Sequence, residues 1–312
     1  MKDCISLDLD IEHLFDNNCP DQVWEIATAI IRCISPAYDF SRTRSAYHDV
    51  VSLFRGNYPG YCAIRTLYHD LDHTLDVFLC TVRIMHGVHV SGEAAVDDDT
   101  ISLLCIAAMM HDVGYAQRQG EEAGTGAQYT QSHIERGIAF ARHYLAERDF
   151  PSHWGEPLAC IIRSTNPNRQ FRQIDFPDQR TRLAGKILGS ADLVGQMADR
   201  AYLEKLLLLY LEFKEAHFGN YQSMYELLHK TLDFYSHILT ILEEDFDNIY
   251  TRLSWHFEEF LGVARNYYQD SIEKNISYLT QVISRDEENY LAMLKRQGVV
   301  QKVRSLPDAT GA

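Results

Sequence analysis

Residues 68–77 are Tyr-His-Asp-Leu-Asp-His-Thr-Leu-Asp-Val, and they place two histidines, His69 and His73, four positions apart. Asp76 follows three positions after His73. Residues i, i+4 and i+7 share one face of an α-helix, so this spacing predicts a helix over 61–86 with both imidazoles and a carboxylate on one side. Two exposed histidines on an amphipathic helix would show the same spacing, and the stretch alone leaves both interpretations open.

A second motif, His111-Asp112, ends the largely apolar run Ile101–Met110. Such a run predicts a buried helix, and a carboxylate at its end carries a desolvation cost of several kcal/mol unless a partner offsets it. A divalent cation bound by the imidazole and the carboxylate removes that cost. The alternative is a helix C-terminus at which the polar pair reaches water.

Asp192 lies in a similar context, directly after Leu188-Gly189-Ser190-Ala191. A carboxylate in a largely apolar helix again needs a partner, which a metal ion would supply. The alternatives are a helix N-cap or an ion pair with a nearby cation, Arg182, Lys186 or Arg200. Another His-Asp pair, His48-Asp49, has no apolar run before it, and we interpret it as part of an exposed helix face.

The composition favours a cytoplasmic protein with a sizeable core. Hydrophobic residues make up 46% of the 312 positions, which argues against disorder over most of the length. The formal net charge of −15 argues against a nucleic-acid polymer or an anionic membrane as partner, because clustered Lys and Arg hold both. The 7 scattered cysteines predict reduced thiols, and residues 1–6 lack a signal-peptide pattern. No apolar run approaches the ~20 residues that cross a bilayer.

Helical periodicity predicts an all-α fold, with residues 1–312 in a single unit. Residues 1–59 would form N-terminal helices, and residues 201–312 a C-terminal helical extension. The predicted helices outside 61–86 are 21–34, 41–55, 100–111, 129–148, 154–164 and 179–198, with further helical patterns from 201 to about 296. Gly120–Gly126 is predicted to be flexible, and the tail 306–312 to be frayed.

The C-terminal region is rich in apolar residues, as in Leu206–Leu211. Helical spacing favours packing in the core, and a homodimer interface through the C-terminal helices is the alternative. The histidines of this region show no ligand-like grouping and are interpreted as ordinary polar positions; they are His217, His229, His237 and His256.

The ordered set His73, His111-Asp112 and Asp192 resembles the metal-ligand positions of the HD superfamily of metal-dependent phosphohydrolases. The resemblance covers roughly residues 60–200. It implies an HD-domain helical bundle as the catalytic core, in which these four side chains hold a divalent ion. Mg, Mn, Ni, Co, Zn and Fe are all compatible with the set.

Residues 68–77 are also similar to the Y-H-N-x-x-H-A-x-D-V signature of class I cyclic-nucleotide phosphodiesterases. This similarity implies that His69 is the general acid that protonates the leaving oxygen. Asp70, Thr74 and Tyr115 stand where that family has Asn, Ala and a further His. Cyclic-nucleotide specificity therefore stays open.

The resemblance also suggests residues that could complete the site. His133 is the candidate ligand for a second metal, and simple polarity at a helix start is the alternative. Arg163 stands where dinuclear relatives often have a histidine, and its guanidinium could bind a phosphate oxygen unless it forms an ordinary surface ion pair. Arg118 is another candidate for phosphate binding, with a solvated loop cation as the alternative.

The function that the resemblance implies is hydrolysis of a small phosphate mono- or diester, which could be a nucleotide. The metal would activate water, and Asp112 or Asp192 would accept its proton. His69 would donate a proton to the leaving alcohol, and a carboxylate nearby, Asp70, Asp72 or Asp76, would keep it protonated. The alternatives are a nucleoside 5′-monophosphatase or dNTP hydrolase, a di-iron oxidase, and a catalytically inactive signalling or binding module.

Overall fold

The residues that the structure describes form twelve α-helices and no β-strand. The computed structural model describes Leu14 and residues 17–121, 124–166 and 171–306. The all-α prediction is confirmed. The helices are α1 (Pro20–Ile34), α2 (Ser41–Phe54), α3 (Leu71–Ser91), α4 (Asp98–Met110), α5 (His133–Glu147), α6 (Gly155–Arg163), α7 (Gln179–Ala198), α8 (Tyr202–Glu215), α9 (Met224–Glu244), α10 (Leu253–Leu261), α11 (Tyr267–Ile283) and α12 (Val299–Ser305).

The predicted helix over 61–86 is wrong at its start. The carboxylate of Asp70 accepts a hydrogen bond from the backbone N of His73 at 3.0 Å and so caps α3, which begins at Leu71. The preceding segment is not helical, and the backbone N of Cys62 donates to the carbonyl of Gln117 at 2.9 Å. His69 therefore precedes the helix that carries His73 and Asp76.

Several sequence predictions fall on positions outside the described residues. They concern the first six residues, part of the segment Gly120–Gly126 and almost all of the tail 306–312. Among the described residues, no helix has the length and apolar character needed to cross a membrane.

The core is centred on α3 and α4, which are buried on all sides. Every residue from His73 to Val88 is buried, and so is every residue from Thr100 to Met110. A helix that is apolar around its whole circumference belongs in the interior of a bundle. α3 packs against α1, α4, α7 and α10, and α7 also packs against α6 and α11. This packing brings the start of α3, the end of α4 and the middle of α7 together.

The C-terminal helices complete this core. Leu206, Leu207, Leu208 and Leu211 on α8 are buried within the chain itself, as the core interpretation expects. α10 approaches α3 so closely that a side chain at Gly87 would overlap the carbonyl group of Arg252. The interpretation of His256 as an ordinary polar position is wrong, because its ring is fully buried between α10 and α3.

His256 pairs there with a second buried histidine, His86. Their Nδ1 atoms lie 3.2 Å apart, so one ring donates and the other accepts. Burial lowers the pKa of His86 to about 4 and that of His256 well below its usual value; His89 acts in the same direction on His86, and His86 and Arg83 do so on His256. Both rings are therefore neutral in the folded chain near pH 7.

This pair is expected to make the fold acid-sensitive. Both folded-state pKa values lie below the unfolded value of about 6.5, so the unfolded chain binds more protons as the pH falls. The stabilisation is complete above about pH 6.5 and decreases toward pH 4, where His86 alone accounts for a loss of about 3 kcal/mol in the free energy of unfolding. Urea unfolding at pH 7 and pH 4.5 measures this loss.

Carboxylates that titrate over the same range affect every variant equally, so the control is a double variant, His86→Leu with His256→Leu. It should lose clearly less stability between the two pH values than the parent chain. Equal losses in the two proteins would contradict the assignment to this pair.

Candidate metal centre

Two helices, α3 and α4, bring His73, His111 and Asp112 into one buried group that could hold a metal ion. His73 lies in the first turn of α3, and His111-Asp112 follows the last residue of α4. One ligand atom from each side chain lies within 4.8 Å of the others. Asp192 on α7 adds a fourth side chain and second carboxylate, with Oδ1 at 3.4 Å from His73 Nε2 and 3.8 Å from His111 Nε2.

The separations between these atoms fit coordination of one ion. Ligand atoms around a metal at about 2.0–2.2 Å lie about 3.0–3.6 Å apart. The two Nε2 atoms are 3.4 Å apart, and Asp112 Oδ2 lies 3.4 Å from His73 Nε2 and 3.2 Å from His111 Nε2. Only the His111–Asp192 separation of 3.8 Å exceeds the range among those measured.

Asp112 carries the clearest indication of a missing partner. Its Oδ2 is buried and accepts no hydrogen bond from the described residues. A buried carboxylate oxygen without a hydrogen bond is costly, and a bound cation satisfies it. The four side chains, their separations and this buried oxygen therefore fit a divalent ion.

The backbone orients the imidazole of His111. Its Nδ1 lies 2.7 Å from the carbonyl oxygen of Ala108, so Nδ1–H donates to that oxygen and Nε2 keeps its lone pair for a metal. Gly114 makes the following turn possible, because a side chain there would overlap the carbonyl group of His133. The glycine thus lets the chain after Asp112 pass directly against α5.

Without a cation, protons balance the charge of the cluster. Burial on its own raises the pKa of Asp112, but His111 and His69 outweigh it, and the pKa lies well below its usual value. Burial lowers the pKa of His73, yet the neighbouring carboxylates of Asp112 and Asp192 raise the pKa to about 10. A metal ion would replace these protons, so its binding should release protons and weaken as the pH falls.

His69 lies beside this cluster and is held by Glu212. The ring Nδ1 of His69 contacts Glu212 Oε1, while Glu212 Oε2 accepts the backbone N–H of Tyr68 at 2.9 Å. Burial lowers the pKa of His69, but the carboxylates of Glu212 and Asp112 outweigh it, so the pKa is raised. The side chain of His69 keeps 19% exposure, so a protonated imidazole remains accessible at the cluster.

Glu212 is the residue that sequence reasoning missed. It lies 143 positions after His69, in the region interpreted as core packing. From the sequence we expected Asp70, Asp72 or Asp76 to support His69, whereas the carboxylate in contact with its ring is that of Glu212. Asp70 caps α3, and Asp76 accepts a hydrogen bond from Asn17 Nδ2 at 2.8 Å. A glutamate on an apolar helix gave no indication of this role.

His133 and Tyr115 form the opposite wall of the site. The Tyr115 ring stacks on His69 at 4.9 Å and on His133 at 4.5 Å between ring centroids. His133 Nδ1 lies 2.7 Å from the carbonyl oxygen of Thr130, which leaves Nε2 facing Asp112 Oδ1 at 3.6 Å. His133 is thus next to the cluster. It faces Oδ1 of Asp112, whereas His73 and His111 face Oδ2.

The two arginines have different surroundings. The guanidinium of Arg163 binds the carboxylate of Glu135 through two hydrogen bonds of 3.0 and 3.2 Å, which is the ion-pair alternative. A phosphate group would have to displace Glu135. Arg118 is exposed and forms an isolated backbone bridge with Tyr61.

The second His-Asp pair has no part in the cluster. His48 is exposed on α2, as predicted, and Asp49 accepts a hydrogen bond from the Tyr144 hydroxyl at 2.8 Å and pairs with Arg148. Its carboxylate is engaged by the Tyr144 hydroxyl and Arg148, away from the histidines of the cluster.

Comparisons of the chain with protein-family models, with curated protein sequences and with solved structures gave no match. The chemistry of the site is therefore argued from its own geometry.

Proposed function

We propose that the chain is a metal-dependent phosphohydrolase of the HD type that cleaves a phosphate mono- or diester. Its divalent ion would be held by His73, His111, Asp112 and Asp192. The observation that carries the proposal is the accessible imidazole of His69, paired with Glu212, beside a buried cluster of metal-binding side chains. A metal site and a positioned acid together are what hydrolysis of a phosphate ester requires.

The chemical roles follow from the surroundings of each side chain. A divalent ion bound here would lower the pKa of water and stabilise negative charge on the phosphoryl oxygens. Asp192 is the more exposed of the two carboxylates, at 13% against 3% for Asp112, and is placed to accept a proton from water. His69, protonated through Glu212, donates a proton to the leaving oxygen, while Tyr115 fixes the plane of its ring.

The proposed substrate is a small phosphorylated molecule, which could be a nucleotide, in the cytoplasm. Arg163 is already paired with Glu135. The negative charge of a bound phosphate would therefore be balanced by the metal ion and His69. A homodimer through the C-terminal helices stays a prediction.

One observation supports a second candidate, a di-iron oxidase. His133 Nε2 faces Asp112 Oδ1 while Asp112 Oδ2 faces the first pair of histidines. A carboxylate with imidazoles at both oxygens could bridge two ions. The oxidase requires that second ion, whereas the phosphohydrolase does not.

Elemental analysis of protein purified without added metal, together with release of p-nitrophenol from bis-p-nitrophenyl phosphate and p-nitrophenyl phosphate, tests the proposal. We expect about one divalent ion per chain and hydrolysis of at least one ester, lost on chelation and restored by Mn²⁺. Two irons per chain without hydrolysis would favour the oxidase. Absence of metal under every loading condition would contradict both enzymes and leave a binding module.

A further inference from the structure

A short segment, residues 124–130, connects the metal centre to α8, and we call it the strap. At its first end, Glu215 on α8 accepts two hydrogen bonds from Thr125. The backbone N of Thr125 lies 2.7 Å from Oε1, and its Oγ1 lies 2.9 Å from Oε2. Both oxygens of the Glu215 carboxylate thus bind the described part of the glycine-rich segment.

Two glycines make this close approach possible. Gly124 has φ +74°, and a Cβ there would lie 2.5 Å from Glu215 Oε1. Gly126 has φ +104°, and a Cβ there would lie 2.5 Å from the carbonyl oxygen of Tyr115. Positive φ values and the lack of space both favour glycine, so Gly-Thr-Gly fits between α8 and the backbone of Tyr115.

The second end of the strap contacts Arg136 and His133 at the start of α5. The guanidinium of Arg136 lies over the ring of Tyr129 at 3.5 Å and donates hydrogen bonds of 2.8 Å to the carbonyls of Gly114 and Ala116. The carbonyl of Thr130 accepts the Nδ1–H of His133. Arg136 thus joins Tyr129 of the strap to the chain on both sides of Tyr115, and the carbonyl of Thr130 orients the ring of His133.

We infer that Glu215 is a positioning residue for the metal centre, acting through the strap on the stacked rings of Tyr115, His69 and His133. Glu215 lies one turn after Glu212 on α8, so a single helix holds both the imidazole of His69 and the strap. The inference rests on the proposed function for its effect on catalysis, and its effect on the rings can be measured separately.

The test compares Glu215→Ala, Glu215→Gln and the parent chain. Loss of the carboxylate should raise hydrogen exchange at the Thr125 amide at least about tenfold, because that amide loses its acceptor. With Mn²⁺ and bis-p-nitrophenyl phosphate, kcat should fall about tenfold while KM changes less than about twofold, because ring alignment and not substrate contact is disturbed. Glutamine keeps an acceptor for Thr125 N and should restore kcat to within about threefold.

The matched control is Glu226→Ala on α9, another partly exposed glutamate, which accepts the backbone N of Gln222 at 2.6 Å. It should leave kcat unchanged. Unchanged kcat in Glu215→Ala, or no recovery in Glu215→Gln, would overturn the inference. If the parent chain hydrolyses neither ester, the proposed function fails, and NMR of the His133 ring decides instead. A shift in Glu215→Ala but not in Glu226→Ala supports positioning, and an unchanged signal refutes it.

Discussion

Replacing Asp112 by alanine is expected to remove the metal ion and the activity together. Asp112 is the one carboxylate whose two oxygens face histidines on different sides, and its buried Oδ2 accepts no hydrogen bond from the described residues. Without it, the imidazoles of His73 and His111 lose the nearest negative charge. Because a metal ion supplies several kcal/mol of transition-state stabilisation, kcat/KM should fall by about 10³-fold or more. Metal content per chain and hydrolysis of bis-p-nitrophenyl phosphate measure both effects.

The chain supplies a matched control in Asp49, the carboxylate of the other His-Asp pair. Asp49→Ala removes an aspartate that binds Tyr144 and Arg148 and takes no part in the ligand group. It should lower stability slightly and leave metal content unchanged. If Asp112→Ala kept as much metal per chain as the parent, Asp112 would not be a ligand, whatever happened to the activity.

The sequence contains the information for the cluster because its members are set by local context. His111-Asp112 follows a buried helix, and Asp192 lies in a second apolar helix, so each polar side chain was conspicuous. The meeting of these helices follows from the packing of two helices that are buried on all sides, α3 and α4, against α7. The order of the residues and the all-α fold were therefore predictable from patterns of burial.

The surroundings of His69 were not predictable in the same way. Helical spacing predicted that His69 lies on the helix. In the structure Asp70 is the N-cap and α3 begins after it, so His69 precedes the helix. An N-cap side chain stabilises a helix start by about 1 kcal/mol. Here the cap at Asp70 sets the start of α3, although the periodic pattern extends further back. The bounds of a helix are thus less certain from sequence than its existence.

Glu212 illustrates a second reason for failure. Its contact with His69 spans 143 positions, and no periodicity relates residues so far apart on different helices. The only indication in the sequence is a glutamate within the apolar run of α8, where a buried charge needs a partner. That indication reveals a need for a partner without naming it. Long-range polar pairs therefore require the packed structure.

Replacing His69 by alanine is expected to leave the metal in place and to lower kcat by roughly 10²–10⁴-fold, the usual contribution of a general acid. His69 is not part of the buried ligand group, and its own carboxylate partner is Glu212. The metal content of His69→Ala should therefore equal that of the parent chain. An emptied site would make His69 a ligand and remove the proton-donor role from the mechanism.

Glu212→Gln tests the proton itself. The carboxylate of Glu212 raises the pKa of His69 against the effect of burial, so the imidazole stays protonated to higher pH in the folded chain. An acid is active below its pKa and inactive above it, and removal of the charge lowers that pKa. The basic limb of the pH–kcat profile should then move to lower pH by roughly one unit or more, with the metal content unchanged. Glutamine has the shape of glutamate but a single acceptor oxygen, which can keep the hydrogen bond from His69 Nδ1–H while the one from the backbone N of Tyr68 is lost. A basic limb that does not move would mean that His69 does not donate the proton.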